Sequence, residues 1–424
     1  MLLYLLTVFY LFLVLVRPQE YPAMTGFGVP ILSLTLMAAF GVWLLSRNKR
    51  FDAPQYLLLV LFLLVTCLSM LASGWSGGAA LQPLNSYPTV IAFLLLANAV
   101  DTPRRMEILM TVFVACAVLL AVHGIEQAAL GVGWTGMTTV EDGRIQYLGI
   151  FSDPNDLGML FVLSVPMAVY LSSRGGMLGL RRLFWLAACA ALLYGIFLTN
   201  SRGGMLAVVT MAGVYIWLRR GAVIAGVLGA GALVVLKMLP SRLNELDVQE
   251  SSAAGRVDAW YEGFQMFLSN PVLGVGTHRF TEYHHLTAHN SLILVLAENG
   301  IIGFTIWIAF VGYGFMMMHR ILRHEPELVD DEHAEEWRQA RAIAQGLMIS
   351  LSGFFATAFF LSRSYIILLY LVAAIVVAHF SIVRDRFPEI EPYRLSQDLL
   401  RWPIYSAIAV VGLYAVVRLL LAMG

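Results

Sequence analysis

Charge is what this chain has least of. Asp, Glu, Lys and Arg make up 13% of its 424 residues, about half the share found in ordinary soluble domains. A soluble chain of this length could not cover its apolar surface with so few, which excludes a cytosolic globular enzyme. It is also far too apolar for a disordered or collagen-like chain. Lysine is nearly missing: Lys49 and Lys237 stand against 25 arginines. The net charge of +0 and a pI near 7.1 give no basic balance that would argue for nucleic acid. Cysteine is scarce as well. Cys67, Cys116 and Cys189 lie far apart inside apolar runs, which excludes a disulfide framework and a cysteine metal centre and leaves buried filler. What is abundant is apolar: 59% of the residues are hydrophobic and the mean hydropathy is +0.77. That composition predicts an all-α polytopic membrane bundle.

Thirteen apolar runs are long enough to count as candidate spans, near 1–16, 28–46, 55–74, 86–100, 106–130, 153–173, 183–199, 203–218, 221–239, 289–318, 342–361, 364–383 and 403–423. The run 86–100 is short and 403–423 carries Arg418, so the expected count is about 12–13. The first run has neither a charged leader nor a small-residue cleavage site, which favours a retained helix over a removed signal peptide. With Met1 inside, eighteen basic residues fall in inner loops and nine outside. That bias supports the orientation and leaves a question: why are several arginines kept on the disfavoured side? Three regions follow: spans over 1–239, an outer loop over 240–288, and spans over 289–424.

The outer loop is where chemistry is expected. A polar stretch over 244–252 precedes an amphipathic helix predicted over about Gly255–Leu268, with Trp260, Phe264 and Phe267 on one face. Asn270-Pro271 stops it, and Gly274-Val275-Gly276 reads as a flexible turn. Arg256 lies on the same face as Trp260, either paired with Asp258 or Glu262 or facing a ligand. The segment Asn200-Ser201-Arg202-Gly203-Gly204 joins two spans on the outside. Ser201 suits a helix cap. Arg202 is either a snorkelling anchor or an anion-binding fork that grips phosphate at two points. Asp153-Pro154-Asn155 opens another outer span with Asp153 as cap. The inner segment 319–341, with its mixed charges, reads as a solvated loop or helix.

Four histidines, His278, His284, His285 and His289, fall within twelve residues. Their spacing does not suit zinc: no His-x-x-x-His sits on a predicted helix with a carboxylate partner, and no cysteine is near. His289 differs from the rest because it opens the span His289-Asn290-Ser291. A helix N-terminus lowers a histidine pKa, which keeps the ring neutral and able to accept a proton near neutrality.

Taken in order, these pieces resemble the O-antigen ligase and polymerase superfamily of bacterial inner-membrane glycosyltransferases. The matching residues are Asp153-Pro154-Asn155, Ser201-Arg202-Gly203, Arg256-x-x-x-Trp260, Asn270-Pro271-Val272-Leu273-Gly274-Val275-Gly276, His289-Asn290, and Glu298-Asn299-Gly300-Ile301-Ile302-Gly303. The modest outer loop looks more like the ligases than the polymerases. The chain is also similar to the probable O-glycosylation ligases that accompany exosortase systems. The crowd at His278, His284 and His285 departs from the family's pattern, as does a thirteenth span.

The resemblance implies transfer of a glycan from undecaprenyl diphosphate to an acceptor hydroxyl at the periplasmic face of the inner membrane, with no metal and no cofactor. The acceptor would be lipid A core or a protein hydroxyl. The family's diphosphate-binding arginines map onto Arg202 and Arg256, and its loop histidine onto His289 as the catalytic residue. Arg144, His278, Arg279 and Glu298 are further candidates. The chemistry fits: a lipid diphosphate leaving group needs cations where charge develops, and the outer arginines supply them. The alternatives are a polysaccharide polymerase of the same superfamily and a transporter of a lipid-linked or anionic substrate. A transporter would place ionisable residues at mid-span, whereas here most charges lie at span ends.

Overall fold

A computed structural model describes the chain except for residues 23, 25, 27, 175–178, 239–250, 328 and 424; side chains are described except for those residues, 232–254 and 423. The described residues form helices and no named strand. α1 (Leu2–Val16), α2 (Ile31–Leu45), α3 (Pro54–Ala72), α4 (Ser76–Ala99), α5 (Pro103–Leu130), α6 (Pro154–Ser173), α7 (Leu180–Leu198), α8 (Arg202–Arg220) and α9 (Ala222–Met238) precede the outer loop. That loop holds α10 (Ser251–Ser269) and the single turn α11 (Phe280–Tyr283). α12 (Ser291–Arg323), α13 (Asp331–Ala358), α14 (Ile367–Arg386) and α15 (Arg401–Met423) follow. Each of the thirteen apolar runs corresponds to one of these helices, and eight of them are long and apolar enough to cross a membrane by those criteria alone. The protein is a multi-pass helical membrane protein.

Burial follows composition. α14 is apolar on every side and its residues from Leu368 to Val383 are all buried, as expected for a helix with no polar face to give to solvent. α6 is nearly as enclosed, packing against α5, α7 and α13. α15 lies at the rim against α10 and α12. Trp260 and Phe264 of α10 are buried as the amphipathic pattern requires. The Trp260 ring meets Phe359 edge-on at 5.5 Å, and Phe264 meets Tyr414 of α15 at 5.5 Å.

One long helix is broken. Within α12, Gly300 adopts φ 59° and ψ −165°, a conformation that only glycine takes readily. The segment 271–276, from the loop before α12, fills the gap. Val275 N–H donates to the Ala297 carbonyl (2.9 Å), Gly276 N–H to the Glu298 carbonyl (3.1 Å), and Ile301 N–H to the Pro271 carbonyl (2.8 Å). Irregular backbone this deep is tolerated because protein groups satisfy it. Gly274 and Gly276 were expected to form a flexible turn. They have φ 74° and 110°, but the turn is clamped, not loose: a Cβ on Gly274 would lie 2.3 Å from the Glu298 carbonyl carbon. Two sequence motifs that lie 22 residues or more apart thus form one structural unit.

Candidate active site

Three helices begin at the same end of the bundle, each with a side-chain cap. Asp153 caps α6, its carboxylate accepting from Asn155 N–H at 2.8 Å. Ser201 caps α8, accepting from Gly204 N–H at 3.2 Å. Asn290 caps α12, accepting from Leu292 and Ile293 N–H at 2.9 and 3.1 Å. The first turns of α6 pack on the α7–α8 connection, since a Cβ on Gly158 would meet the Thr199 hydroxyl at 3.1 Å and the Cβ of the α8 cap Ser201 at 3.7 Å. Ser291 joins α12 to the α13–α14 connection: its hydroxyl donates to the Leu361 carbonyl (2.6 Å) and accepts from Arg363 N–H (2.9 Å). Together the three N-termini place their positive dipole ends at one end of the bundle.

Arginines gather there. Arg363 donates through Nη2 to Asp153 at 3.0 Å and through Nε to Asp156. The two carboxylates hold its guanidinium pKa above the usual arginine value, against the opposing pull of burial. On the other side of Asp153, Arg144 donates through Nε to the Thr199 carbonyl (2.9 Å) and through Nη2 to Asn155 Oδ1 (3.2 Å). Burial lowers the Arg144 pKa and Asp153 resists that. Arg202 is the first residue of α8, and Arg256 rides on α10; both are partly exposed and both are engaged by neighbouring groups. Arg363 and the ion-pairing role of Asp153 and Asp156 carry no motif that sequence reasoning could weigh. Their only trace is an arginine retained on the disfavoured side.

His289 sits among them. It was expected to open α12 as its first residue, but the helix starts at Ser291 with Asn290 as cap. His289 precedes the cap with φ 47°, outside the first turn. Its pKa is lowered, as expected, by a different cause: burial first, then the Arg256 and Arg363 guanidinium charges, with Asp153 acting in the opposite sense. These interactions bring His289, Arg256, Arg363 and Asp153 into one electrostatic neighbourhood.

The remaining candidates separate from this group in instructive ways. Arg279 is tied down, donating to the Ser73 carbonyl (2.6 Å) and to Glu282 (2.7 Å). His284 is a strut: its Nδ1 accepts from Leu286 N–H at 3.1 Å, and Nε2–H donates to Asp258 of α10 at 3.1 Å. Glu298 lies at the break in α12, accepting from the Tyr365 hydroxyl (2.8 Å) and from Phe280 N–H (3.2 Å). The Tyr365 oxygen in turn accepts from Asn299 Nδ2 at 2.6 Å, and Asn299 Oδ1 accepts from Thr277 at 2.7 Å. The His278 ring lies 5.0 Å from the Tyr365 ring, and desolvation there holds its pKa below the usual histidine value. His278, Glu298 and Tyr365 line a cavity of about 540 Å³ whose rim includes Arg363 and Ser362.

Residues 187–308 match the family model described as O-antigen ligase. Over this segment the chain is O-antigen ligase-like. The matched segment of this O-antigen ligase-like protein runs from α7 into α12 and contains Arg202, Arg256, His278, Arg279, His289 and Glu298. Residues 3–176 match a family of unknown function (DUF5935), and this part supplies Arg144, Asp153 and Asp156. Arg363 lies outside both matches. No curated protein matches the chain. The protein is thus a multi-pass membrane protein with a central segment similar to O-antigen ligases.

Proposed function

We propose that the enzyme is a ligase that transfers a glycan from undecaprenyl diphosphate to an acceptor hydroxyl at the periplasmic face, without a metal. The observation that best supports this reading is that Arg363 joins the starts of α6 and α12, through Asp153 and Ser291, with His289 directly before the α12 cap. In the reaction the acceptor oxygen attacks the anomeric carbon and the bond to the diphosphate oxygen breaks. His289, kept neutral by its surroundings, takes the acceptor proton. Arg202 and Arg256 bind the diphosphate and stabilise the charge that grows on it, the task a metal performs elsewhere. Arg363 and Arg144 orient the site through Asp153 and Asn155.

The test is transfer by the purified chain from an undecaprenyl diphosphate-linked glycan to lipid A core or to a peptide bearing Ser and Thr. A glycan on either acceptor, with undecaprenyl diphosphate released and EDTA without effect, is the expected result. A chain-length ladder built on the lipid donor itself would identify a polymerase instead. Sidedness is tested by labelling from outside intact cells in a cysteine-free background: a cysteine at Leu268 should react and one at Glu332 should not. The reverse pattern overturns the periplasmic assignment.

A further inference from the structure

α4 has the lowest hydropathy of the eight long apolar helices, and its polar residues are not scattered. Gln82, Asn85, Ser86 and Thr89 follow the i, i+3, i+4, i+7 spacing that puts them on one helix face. That face borders a cleft of about 280 Å³ between α3 and α4. Across the cleft stand Phe62 and Thr66 of α3 and Tyr370 of α14, and at its end His278 and Tyr365. The same His278 and Tyr365 wall the cavity that reaches Arg363, so the two spaces share a partition. Gln82 is 4% exposed, and its Oε1 is buried with no hydrogen-bond partner among the described residues. A buried amide oxygen left unmatched is costly, and more so in an apolar span. Amide and hydroxyl groups without a charged side chain, set against aromatic faces, suit a neutral, hydroxyl-rich ligand and not a phosphate.

We propose that the cleft between α3 and α4 binds a neutral sugar residue of the transferred glycan or of its acceptor, an inference that rests on the glycosyltransferase reading above. A ligand hydroxyl donates to Gln82 Oε1, Asn85 and Ser86 contact the next hydroxyls, and a ring face lies against Phe62 or Tyr365. The His278–Tyr365 partition then sets the sugar next to the cavity that holds Arg363. Its volume, near the lower end of ligand pockets at about 300 Å³, fits one or two pyranose rings. This gives the cleft a specificity role, because an amide built to meet a hydroxyl rejects a sugar that lacks it or presents it in the other configuration.

Photo-crosslinking tests this in glycan-producing cells. Benzoylphenylalanine is placed at Asn85 in the cleft, at Leu84 on another face of the same helix, and at Thr287 in the cavity that holds Arg363. A glycan-bearing adduct at Asn85 and Thr287, but not at Leu84, is expected. Mild acid distinguishes the sources: it cleaves the glycosyl diphosphate of a crosslinked donor and frees undecaprenyl diphosphate while the sugar stays on the protein, whereas a crosslinked acceptor without that bond releases no lipid diphosphate. An adduct at Thr287 with none at Asn85 overturns the cleft and leaves the enzyme reading intact; no adduct anywhere overturns the enzyme reading itself. Gln82→Leu adds a second measurement. A ligand-binding role predicts transfer lowered by about fivefold or more, the worth of one hydrogen bond, with the melting temperature unchanged or raised. A fall in melting temperature with unchanged transfer assigns Gln82 a structural role and refutes the proposal.

Discussion

Arg363→Gln separates support of the site from chemistry at it. Arg363 is the cation between Asp153 and Asp156, and its backbone is held by Ser291 at the start of α12. The substitution leaves two carboxylates near one another with no cation between them. Breaking a buried ion pair from one side costs about 3–5 kcal/mol. Here the Asp156 side chain is 9% exposed but that of Arg363 is 26% exposed, so solvent screens part of the loss and about 2–3 kcal/mol is expected. The assay is thermal unfolding in detergent, run beside transfer. Arg363→Gln should melt several degrees lower and transfer poorly, because His289 and the α6 start lose their alignment. The companion Asp156→Asn with Arg363→Gln removes the more buried of the two unpaired charges, leaving the more exposed Asp153, and should recover most of the melting temperature without recovering transfer. If the single variant melts like the native enzyme and transfers normally, the network is not what aligns the site. If the double variant recovers both, Arg363 acts on stability alone.

Arg202→Ala and Arg256→Ala should each lose transfer by roughly 2–4 kcal/mol of transition-state stabilisation, with lysine rescuing poorly; Arg279→Ala, which frees only Ser73 and Glu282, should keep it, and the opposite ranking would show the wrong arginines were chosen. Because burial and two neighbouring cations hold the His289 pKa below the usual value, the proton-accepting form persists into mildly acidic solution. The pH–rate profile should therefore fall only below the ordinary histidine range, and His289→Gln should be nearly inactive with protein level unchanged. Gly300→Ala places a Cβ 2.4 Å from the Val272 carbonyl carbon at a positive φ, so it should unfold at a lower temperature and lose transfer together; a variant with native melting would mean the α12 break relaxes freely.

Periodicity made the helices legible. Each apolar run became a helix, the amphipathic stretch around Trp260 became α10, and the caps at Asp153 and Ser201 stand where the residue types put them. Contacts between distant segments were not legible. Nothing in Pro271–Gly276 announces that its amides replace missing bonds beside Gly300, and nothing in Ser362-Arg363-Ser364 announces two aspartates some 200 residues earlier. His289 illustrates the boundary between the two: its lowered pKa followed from its place near a helix start, but its cause is burial and two arginines that only the fold brings near. Of the polar stretch 244–252, residues 244–250 lie outside the described residues and Ser251 and Ser252 begin α10.

The clamp at Gly300 bears on how the enzyme responds to its lipid surroundings. A straight span meets a thicker or thinner bilayer by tilting or by sliding along its neighbours. α12 is pinned part-way along its length by the backbone of the outer loop, so any tilt carries Pro271–Gly276 and α10 with it. His289 and Arg256 then keep their spacing while this whole assembly rises or sinks relative to the headgroups. Changing acyl-chain length should thus alter how readily a lipid-borne donor reaches the site, seen in KM, and leave the chemical step almost untouched.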